Sequence, residues 1–427
     1  MLIALSFLGL MLLGVPVGFV LLGAALVFVL QTGNYALIGA LPQQMFSSLE
    51  IFDLLAIPLF ILLGEIMSES GMTRRLFAAA QALLAWVPRS LAYVNLVANL
   101  FLAAILGSAN AQVAVMSRVC VPEMMASGYT KKFATALTIA ASLLGPIIPP
   151  SMIFIIYGVV ARVPIDAMFI GGILPGLLLF LTFSLLIAFL PSGRPDAVST
   201  GDDAGMSTEI QVSRLRRVLA ALPALAVPAL IVGGILSGAF TPTESAAVAV
   251  AAALLVGAVG YRELSLKRLP ELMFRSAVNS AVVMFLIAAA RIFGFVLTFY
   301  RVPQKATELM VAFTSDPTLF LLLLVGLLLL IGAVMDGMAA LIILVPILLP
   351  IAQSAYFLDP VHFGIIVCLT LVLGLVTPPV GTALYIAASI NQISIGALSR
   401  ALIPFILAAL LVVLAIVLAP ILVTALA

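Results

Sequence analysis

Gly145-Pro146-Ile147-Ile148-Pro149-Pro150 and Gly374-Leu375-Val376-Thr377-Pro378-Pro379 carry the reading of this chain. Both are Gly-x-x-x-Pro-Pro, both lie in apolar stretches, and their prolines are 229 residues apart (378 − 149). Two successive prolines remove two backbone donors and clash with the preceding turn, so neither stretch continues as one helix. In lipid, broken backbone persists only where protein buries it or where it lines a cavity. Matching breaks in two halves of a chain point to the binding site of a transporter.

The surroundings of the breaks keep the same register. Pro175 and Pro404 are 229 residues apart; Pro122 and Pro350, like Ser108 and Asp336, are 228 apart. The chain holds 25 prolines, so one pair could coincide by chance, but four features in order within one residue of a common offset indicate a repeat.

Composition sets the class. Of 427 residues, 64% are hydrophobic and 8% charged, and the mean hydropathy is +1.34. That is the composition of a polytopic membrane protein. The first charged residue is Glu50, and residues 133–161, 167–193, 218–243, 363–399 and 401–427 carry no charge. Each is long enough for a helix of about 20 residues to cross the hydrocarbon. The runs are continuous, unlike the alternating strands of a barrel, so the spans are α-helical. The N-terminus lacks a basic region and a cleavage site, and residues 1–30 read as a retained first helix.

The same composition excludes several functions. A net charge of +2 gives no footprint for nucleic acid. His362 is the only histidine, which removes His-based metal sites and histidine relays. Cys120 and Cys368 lie in apolar segments and read as small buried hydrophobes. No Walker, His-Glu-x-x-His or Gly-x-Ser-x-Gly sequence occurs, so neither nucleotide hydrolysis nor an intramembrane hydrolase is expected.

Basic residues orient the chain. Arg74, Arg75 and Arg89, Lys131 and Lys132, Arg214, Arg216 and Arg217, and Arg262, Lys267 and Arg268 mark four loops. Placing all four in the cytoplasm satisfies the positive-inside rule and leaves Arg301, Lys305 and the acidic stretch near Asp359 outside. The first repeat then covers 1–190: scaffold helices 1–70, a surface arm 73–89, a hairpin 92–127, a broken helix 133–161 and a following helix 166–190. A cytoplasmic linker, 191–217, leads to one extra helix, 218–240, which inverts the second half. The second repeat, 241–427, has scaffold helices 241–300, an arm 301–316, a hairpin 318–354, a broken helix 362–388 and a last helix 399–425.

The two hairpins are inferred from polar interruptions. Gly107-Ser108-Ala109-Asn110-Ala111-Gln112 splits one apolar stretch and Met335-Asp336-Gly337 another, leaving arms shorter than a full span. They read as re-entrant hairpins entering from opposite sides, their tips meeting the broken helices near the midplane. The alternative is two ordinary antiparallel helix pairs with these residues in surface turns.

Half-helix ends brought together at the midplane attract ions: N-termini attract anions and C-terminal carbonyls attract cations. Na⁺ needs several oxygens and no titrating group. The candidates at the first break are Ser108, Asn110, Ser142 and the carbonyls from Gly145 to Pro149. At the second they are Asp336, Thr377, Thr382 and the carbonyls of Met335, Pro378 and Gly381. Any one of the hydroxyls could simply bond its own helix. As two clusters they are read as ion sites. Asp336 could balance a cation, carry a proton or cap its helix, and capping combined with cation binding is the favoured reading. Arg291, midway along a helix, is either a ligand for a substrate carboxylate or a structural residue, paired with Asp336 or Glu65 or snorkelling to an interface. Arg291, Asn110, Ser151 and Gly337 are the candidate substrate residues. Glu65 reads as interfacial, and Trp86 as an interface anchor.

These motifs resemble the large membrane subunit of tripartite ATP-independent periplasmic (TRAP) transporters. The matching stretches are Ile57-Pro-Leu-Phe-Ile-Leu-Leu-Gly-Glu65, Gly107-Ser-Ala109, Gly145-Pro-Ile-Ile-Pro-Pro-Ser151, Gly238-Ala-Phe-Thr-Pro-Thr-Glu244, Asp359-Pro-Val-His-Phe-Gly364 and Thr377-Pro-Pro-Val-Gly381. They run through nearly the whole chain. The resemblance implies an all-α, inverted-repeat, elevator-type transporter of the bacterial inner membrane with two re-entrant hairpins and two broken transmembrane helices. It implies Na⁺ as coupling ion at both hairpin–break junctions and no other cofactor. It also implies a small four-helix membrane subunit and a periplasmic binding protein that delivers an organic acid. The chain starts directly at its first helix, so the small subunit is expected as a separate protein. Three features depart from the family pattern: Gln112 where an acid is usual, Gly337-Met338 where Pro-Thr is common, and Arg291 where a small residue is usual. Substrate choice is expected to rest on them. A stand-alone anion transporter of related architecture, and less readily a channel, are the alternatives.

Overall fold

The computed structural model describes residues 2–190 and 207–425. All of the regular elements there are helices. The first repeat contains α1 (Leu2–Leu12), α2 (Val17–Gln31), α3 (Ala36–Leu49), α4 (Ala56–Glu69), α5 (Met72–Leu84), α6 (Ser90–Leu106), α7 (Ala109–Ala126), α8 (Lys131–Ser142), α9 (Met152–Ala161) and α10 (Ile165–Phe189). Then come α11 (Ser207–Leu236), α12 (Pro242–Leu255), α13 (Leu269–Phe299), α14 (Val302–Phe313), α15 (Pro317–Val334), α16 (Gly337–Tyr356), α17 (Pro360–Gly374), α18 (Thr382–Asn391), α19 (Ile395–Leu418) and α20 (Ile421–Thr424).

Local chemistry sets many of these boundaries. The side chains of Thr130, Asp316 and Asp359 accept hydrogen bonds from first-turn amides of α8, α15 and α17. Thr241 and Glu244 form a capping box at the start of α12. Three expected boundaries shift. The helix read over 1–30 is two helices, because Pro16 follows a left-handed Gly14 and starts α2 afresh. The linker read as 191–217 gives way to helix at Ser207; residues 191–206 lie outside the described ones. The last helix stops at Leu418, and Pro420 starts the short α20.

The helices assort into two bodies. In one, α13 packs on α2, α3 and α4, α12 on α4, and α11 on α5 and α12. In the other, α7 packs on α8 and α18, α15 on α17, α9 on α16, and α19 on α8 and α10. Gly332 and Gly374 let α15 and α17 touch backbone to backbone: a Cβ on Gly374 would lie 2.6 Å from the backbone of Gly332. The bodies meet where α13 packs on α16 and α4 on α9, and the arms α5 and α14 lie against α6 and α16.

Contacts between helix ends define two faces. At the basic face Glu263, after α12, pairs with Arg74 at 3.0 Å and Arg75 at 2.7 Å on α5, and Arg268 pairs with Glu69 at the end of α4. Arg89, ahead of α6, donates to the carbonyls of Ile187 and Ala188 at the end of α10. Gln81 on α5 bonds Glu123 near the end of α7. At the opposite face the Tyr356 hydroxyl, ending α16, donates to the Thr314 carbonyl before α15 at 2.8 Å. Thr32 and Tyr300 hydrogen-bond there, after α2 and α13. The hairpin α6–α7 therefore opens at the basic face and α15–α16 at the other. Arm length does not reveal this. The second hairpin's arms, 18 and 20 residues, are each long and apolar enough to cross a membrane, contrary to the expectation of short arms. What marks them as re-entrant is that the two tips line one cavity inside the protein.

Candidate functional site

The tips are built from special backbone. Gly107 ends α6 in the left-handed region at φ 54°, and a Cβ there would press on Met152 Cγ at 3.3 Å. Ser108 is extended and begins α7 without capping it by its side chain. At the other tip Met335 is extended, and Asp336 caps α16 through Oδ1, accepting from the amides of Met338 at 3.0 Å and Ala339 at 3.4 Å.

The breaks lie behind the tips. α8 ends at Ser142, the chain passes through turns and a cis Pro149–Pro150 bond, and α9 starts after Ser151. α17 ends at Gly374, and a cis Pro378–Pro379 bond precedes Gly381, which adopts φ 46° and donates its amide to the Ala333 carbonyl at 2.8 Å. That bond ties the second break to the second hairpin. Thr382, opening α18, donates to Asn110 Oδ1 at 3.2 Å and ties it to the first hairpin.

A cavity of about 460 Å³ lies where these parts converge on the first body. Gly107 to Ala111 and Asp336 to Met338 line one side; Gly64, Glu65 and Ser68 of α4 and Asn279, Val282 and Val283 of α13 line the other. Pro146 and Pro150 of the first break, and Val372 and Leu375 at the end of α17, reach it as well. Glu65 and Asp336 are its ionisable residues, and among the described residues no lysine or arginine lines it. The site offers oxygen and backbone dipoles but no cationic side chain from those residues.

The residues named as ion ligands divide into two groups. Ser108, Asn110 and Asp336 line the cavity, with Met335 and Thr382 next to them and Thr382 bonded to Asn110. Ser142 is fully buried and donates to the Ile139 carbonyl at 2.6 Å, and Thr377 donates to the Leu373 carbonyl at 2.8 Å; both keep their oxygen lone pairs, but neither lines the cavity. Gly145 packs against the Gln112 amide, where a Cβ would meet Oε1 at 2.3 Å. Pro149, Pro378 and Gly381 lie in the breaks as read.

The candidate substrate residues do not form one site. Asn110 and Gly337 line the tip cavity. Ser151 caps α9 and donates to the Pro146 carbonyl, fully buried, so its hydroxyl is already used. Arg291 lines a separate chamber and pairs with neither Asp336 nor Glu65, which belong to the tip cavity. Glu65, expected at the membrane interface, faces the cavity instead.

Sequence reading missed Asn279 and Ser68, which join Glu65 as polar side chains of the cavity on the facing body. Asn279-Ser280 inside an apolar helix was the available signal. It also missed a buried ladder behind the first tip. Asn95 donates to Thr138 at 2.7 Å, Asn99 to Asn95 Oδ1 at 2.8 Å and Gln112 to the Asn99 carbonyl at 2.8 Å, all fully buried. These amides fix the angle between the hairpin arms and α8, and Gln112 belongs to this ladder.

Known proteins share this pattern. The family described as "Tripartite ATP-independent periplasmic transporter, DctM component" matches residues 4–422. The sialic acid TRAP transporter large permease protein SiaM of Vibrio cholerae is 36% identical over 415 residues, covering 96% of this chain and 94% of that protein. The isethionate TRAP transporter permease DctMQ of Oleidesulfovibrio alaskensis is 37% identical over 92% of this chain, which spans 61% of its length. The C4-dicarboxylate large permease DctM of Pseudomonas aeruginosa is 34% identical over 87% of this chain and 85% of its own. Among solved structures, the YdaH transporter of Alcanivorax borkumensis superimposes with a TM-score of 0.65 over 91% of this chain and 89% of that one, at 14% identity, a likeness of fold. A matched profile over nearly the whole length, on a frame of inverted hairpins and broken helices, settles the class: this chain belongs to the DctM family, the large permease component of TRAP transporters.

Proposed function

We propose that this inner-membrane permease imports an organic acid coupled to Na⁺, with the tip cavity holding substrate and ions together. The observation that carries the reading is the charge of that cavity: both hairpin tips converge on it, two acids line it, and among the described residues no basic side chain does. An organic anion entering such a site needs a cation to offset Asp336 and Glu65, and burial of unpaired charge would otherwise cost several kcal/mol per ion. Na⁺ suits the donors, which are hydroxyl, amide and backbone oxygens around Ser108, Asn110, Asp336 and Thr382. The ends of α7 and α16 point their amides at the same space and suit a carboxylate.

The α4–α13 wall is the fixed partner in this reading, and the hairpins with their broken helices are the moving one. The cavity lies toward the basic face, since Glu65 and Ser68 are in the last turns of α4 and Asn279 is in the first third of α13. With that face in the cytoplasm the arrangement is the inward-facing one. A small membrane subunit and a periplasmic binding protein complete the transporter in this proposal, supported by the family.

The test is uptake by the assembled transporter in proteoliposomes. Accumulation is expected with an inward Na⁺ gradient and its absence when choline replaces Na⁺. Full uptake driven by a proton gradient alone would overturn the coupling.

A further inference from the structure

Among the described residues a second cavity is larger than the tip cavity. A chamber of about 890 Å³ lies nearer the opposite face, between the two bodies. Arg291 of α13 lines it from the fixed body and Arg162, at the end of α9, from the moving one. Asp53 also lines it, yet among the described residues neither arginine makes an ion pair or hydrogen bond. Arg162 is the left-handed C-cap of α9 at φ 57°, and its guanidinium does not turn back onto that helix's free carbonyls. Both guanidiniums are exposed to the chamber, and two positive charges facing one space repel each other. An anion between them offsets that repulsion, and a carboxylate fits the planar fork of each.

The chamber's height gives it a place in transport. Asn279, in the tip cavity, and Arg291 are twelve residues apart on α13, so the two sites are about 18 Å apart along that helix at 1.5 Å per residue. We propose that Arg162 and Arg291 form a second, anion-binding site for the carboxylate of the organic acid, at the outer end of its path. This rests on the organic-acid reading above. When the moving body slides outward, Asn110 and Gly337 rise toward the level of Arg291, so the fixed arginine presents the carboxylate to the tips. On the inward stroke the carboxylate leaves with the tips, and Arg162 descends beside Arg291 to complete the pair that takes up the next one.

The test uses the complete transporter in phosphatidylcholine nanodiscs, titrated with succinate in a chloride-free buffer without Na⁺, where the tip cavity lacks its coupling ion. Saturable binding is expected. Arg291→Gln and Arg162→Gln should each raise the dissociation constant at least tenfold, with Arg291→Lys retaining part of the affinity in an equally folded protein. Binding unaffected by both Gln variants overturns the proposal. So does loss of succinate binding when phosphatidylglycerol replaces half the lipid, which would make the pair a headgroup site. The Na⁺-driven uptake assay is read separately, so failure of the import reading shows there and failure of the outer site shows here.

Discussion

The two Gly-x-x-x-Pro-Pro breaks share a motif, a cis Pro–Pro bond and a helix on each side, but they occupy different surroundings. Pro149 and Pro150 are buried, and Ile153 to Val159 of the following helix are buried with them. Pro378, Pro379 and Val380 are exposed, and Tyr385 in the following helix is 45% exposed. The difference comes from height. α9 runs toward the outer face and packs on α16 and α4, whereas α18 runs toward the basic face, beyond the reach of the α4–α13 wall. An inverted repeat makes two equivalent halves, and the position of the moving body decides which half is covered. Under the proposed transport reading, the covered half marks the inward-facing state.

The largest test of this comparison sets the tips against each other. Asp336 brings a charge and Ser108 only a hydroxyl. Asp336→Asn keeps a good cap, so what it loses is the charge, and Na⁺-driven uptake should fall roughly 100-fold, the size of about 1.5–3 kcal/mol for a charged ligand. Ser108→Ala should cost about tenfold or less, as a neutral hydrogen-bonding group would. Equal losses in initial-rate uptake would break the asymmetry.

The break glycines give the next effect. A Cβ at Gly374 meets the Gly332 backbone at 2.6 Å, whereas at Gly145 it meets the end of the Gln112 side chain. Gly374→Ala should therefore destabilise by about 1–3 kcal/mol through forced separation of α15 and α17. Gly145→Ala should cost less, and Gln112→Ala should relieve it, both read from thermal unfolding of the purified complex.

Accessibility tests the covered half directly. A cysteine at Val380 should react with a membrane-impermeant maleimide applied from the cytoplasmic side at least about tenfold faster than one at Ile147, since exposure controls thiol reactivity. Cys120 and Cys368 are buried and should give little background. Equal rates would contradict the inward-facing assignment.

The smallest effect compares the ties at the two faces. Neutral hydrogen bonds hold the outer face, while Arg75 and Arg74 bond Glu263 at the inner one. The hydrogen bond from Arg75, helped by the charge of Arg74, holds the Glu263 carboxyl below its usual range. Its stabilisation is present above the unfolded value of about 4.3 and is lost as pH falls through the lowered folded value. The pair is exposed to solvent, so Glu263→Gln should cost only about 0.5 kcal/mol, and high salt should erase the difference.

Much of the fold was legible because proline and glycine act locally. The breaks, the tips and the extra helix that inverts the second half are consequences of residues that cannot continue a helix, repeated at one offset. The split between α1 and α2 has the same cause at Gly14 and Pro16, but the uniformly apolar run around it hides the turn. At the site, Ser108, Asn110, Asp336 and Gly337 could be named from polar interruptions. Arg291 could be named but not placed: nothing in a sequence says at what height along a helix a second body will stop. Asn279 and Ser68 could not be assigned to the site for the same reason, since an isolated polar residue on an apolar helix acquires its meaning from what faces it.

The sequence by itself determined where the helices break, that two halves are inverted, and which side chains stand at the tips. These outcomes come from backbone chemistry within a few residues and from the cost of unpaired polar groups in lipid. Only the tertiary structure decided that Glu65 joins Asp336 and that Arg291 faces Arg162 in a second chamber. Those outcomes depend on how two bodies pack and on the level at which they meet, a property of the whole surface between them that no short stretch of chain encodes.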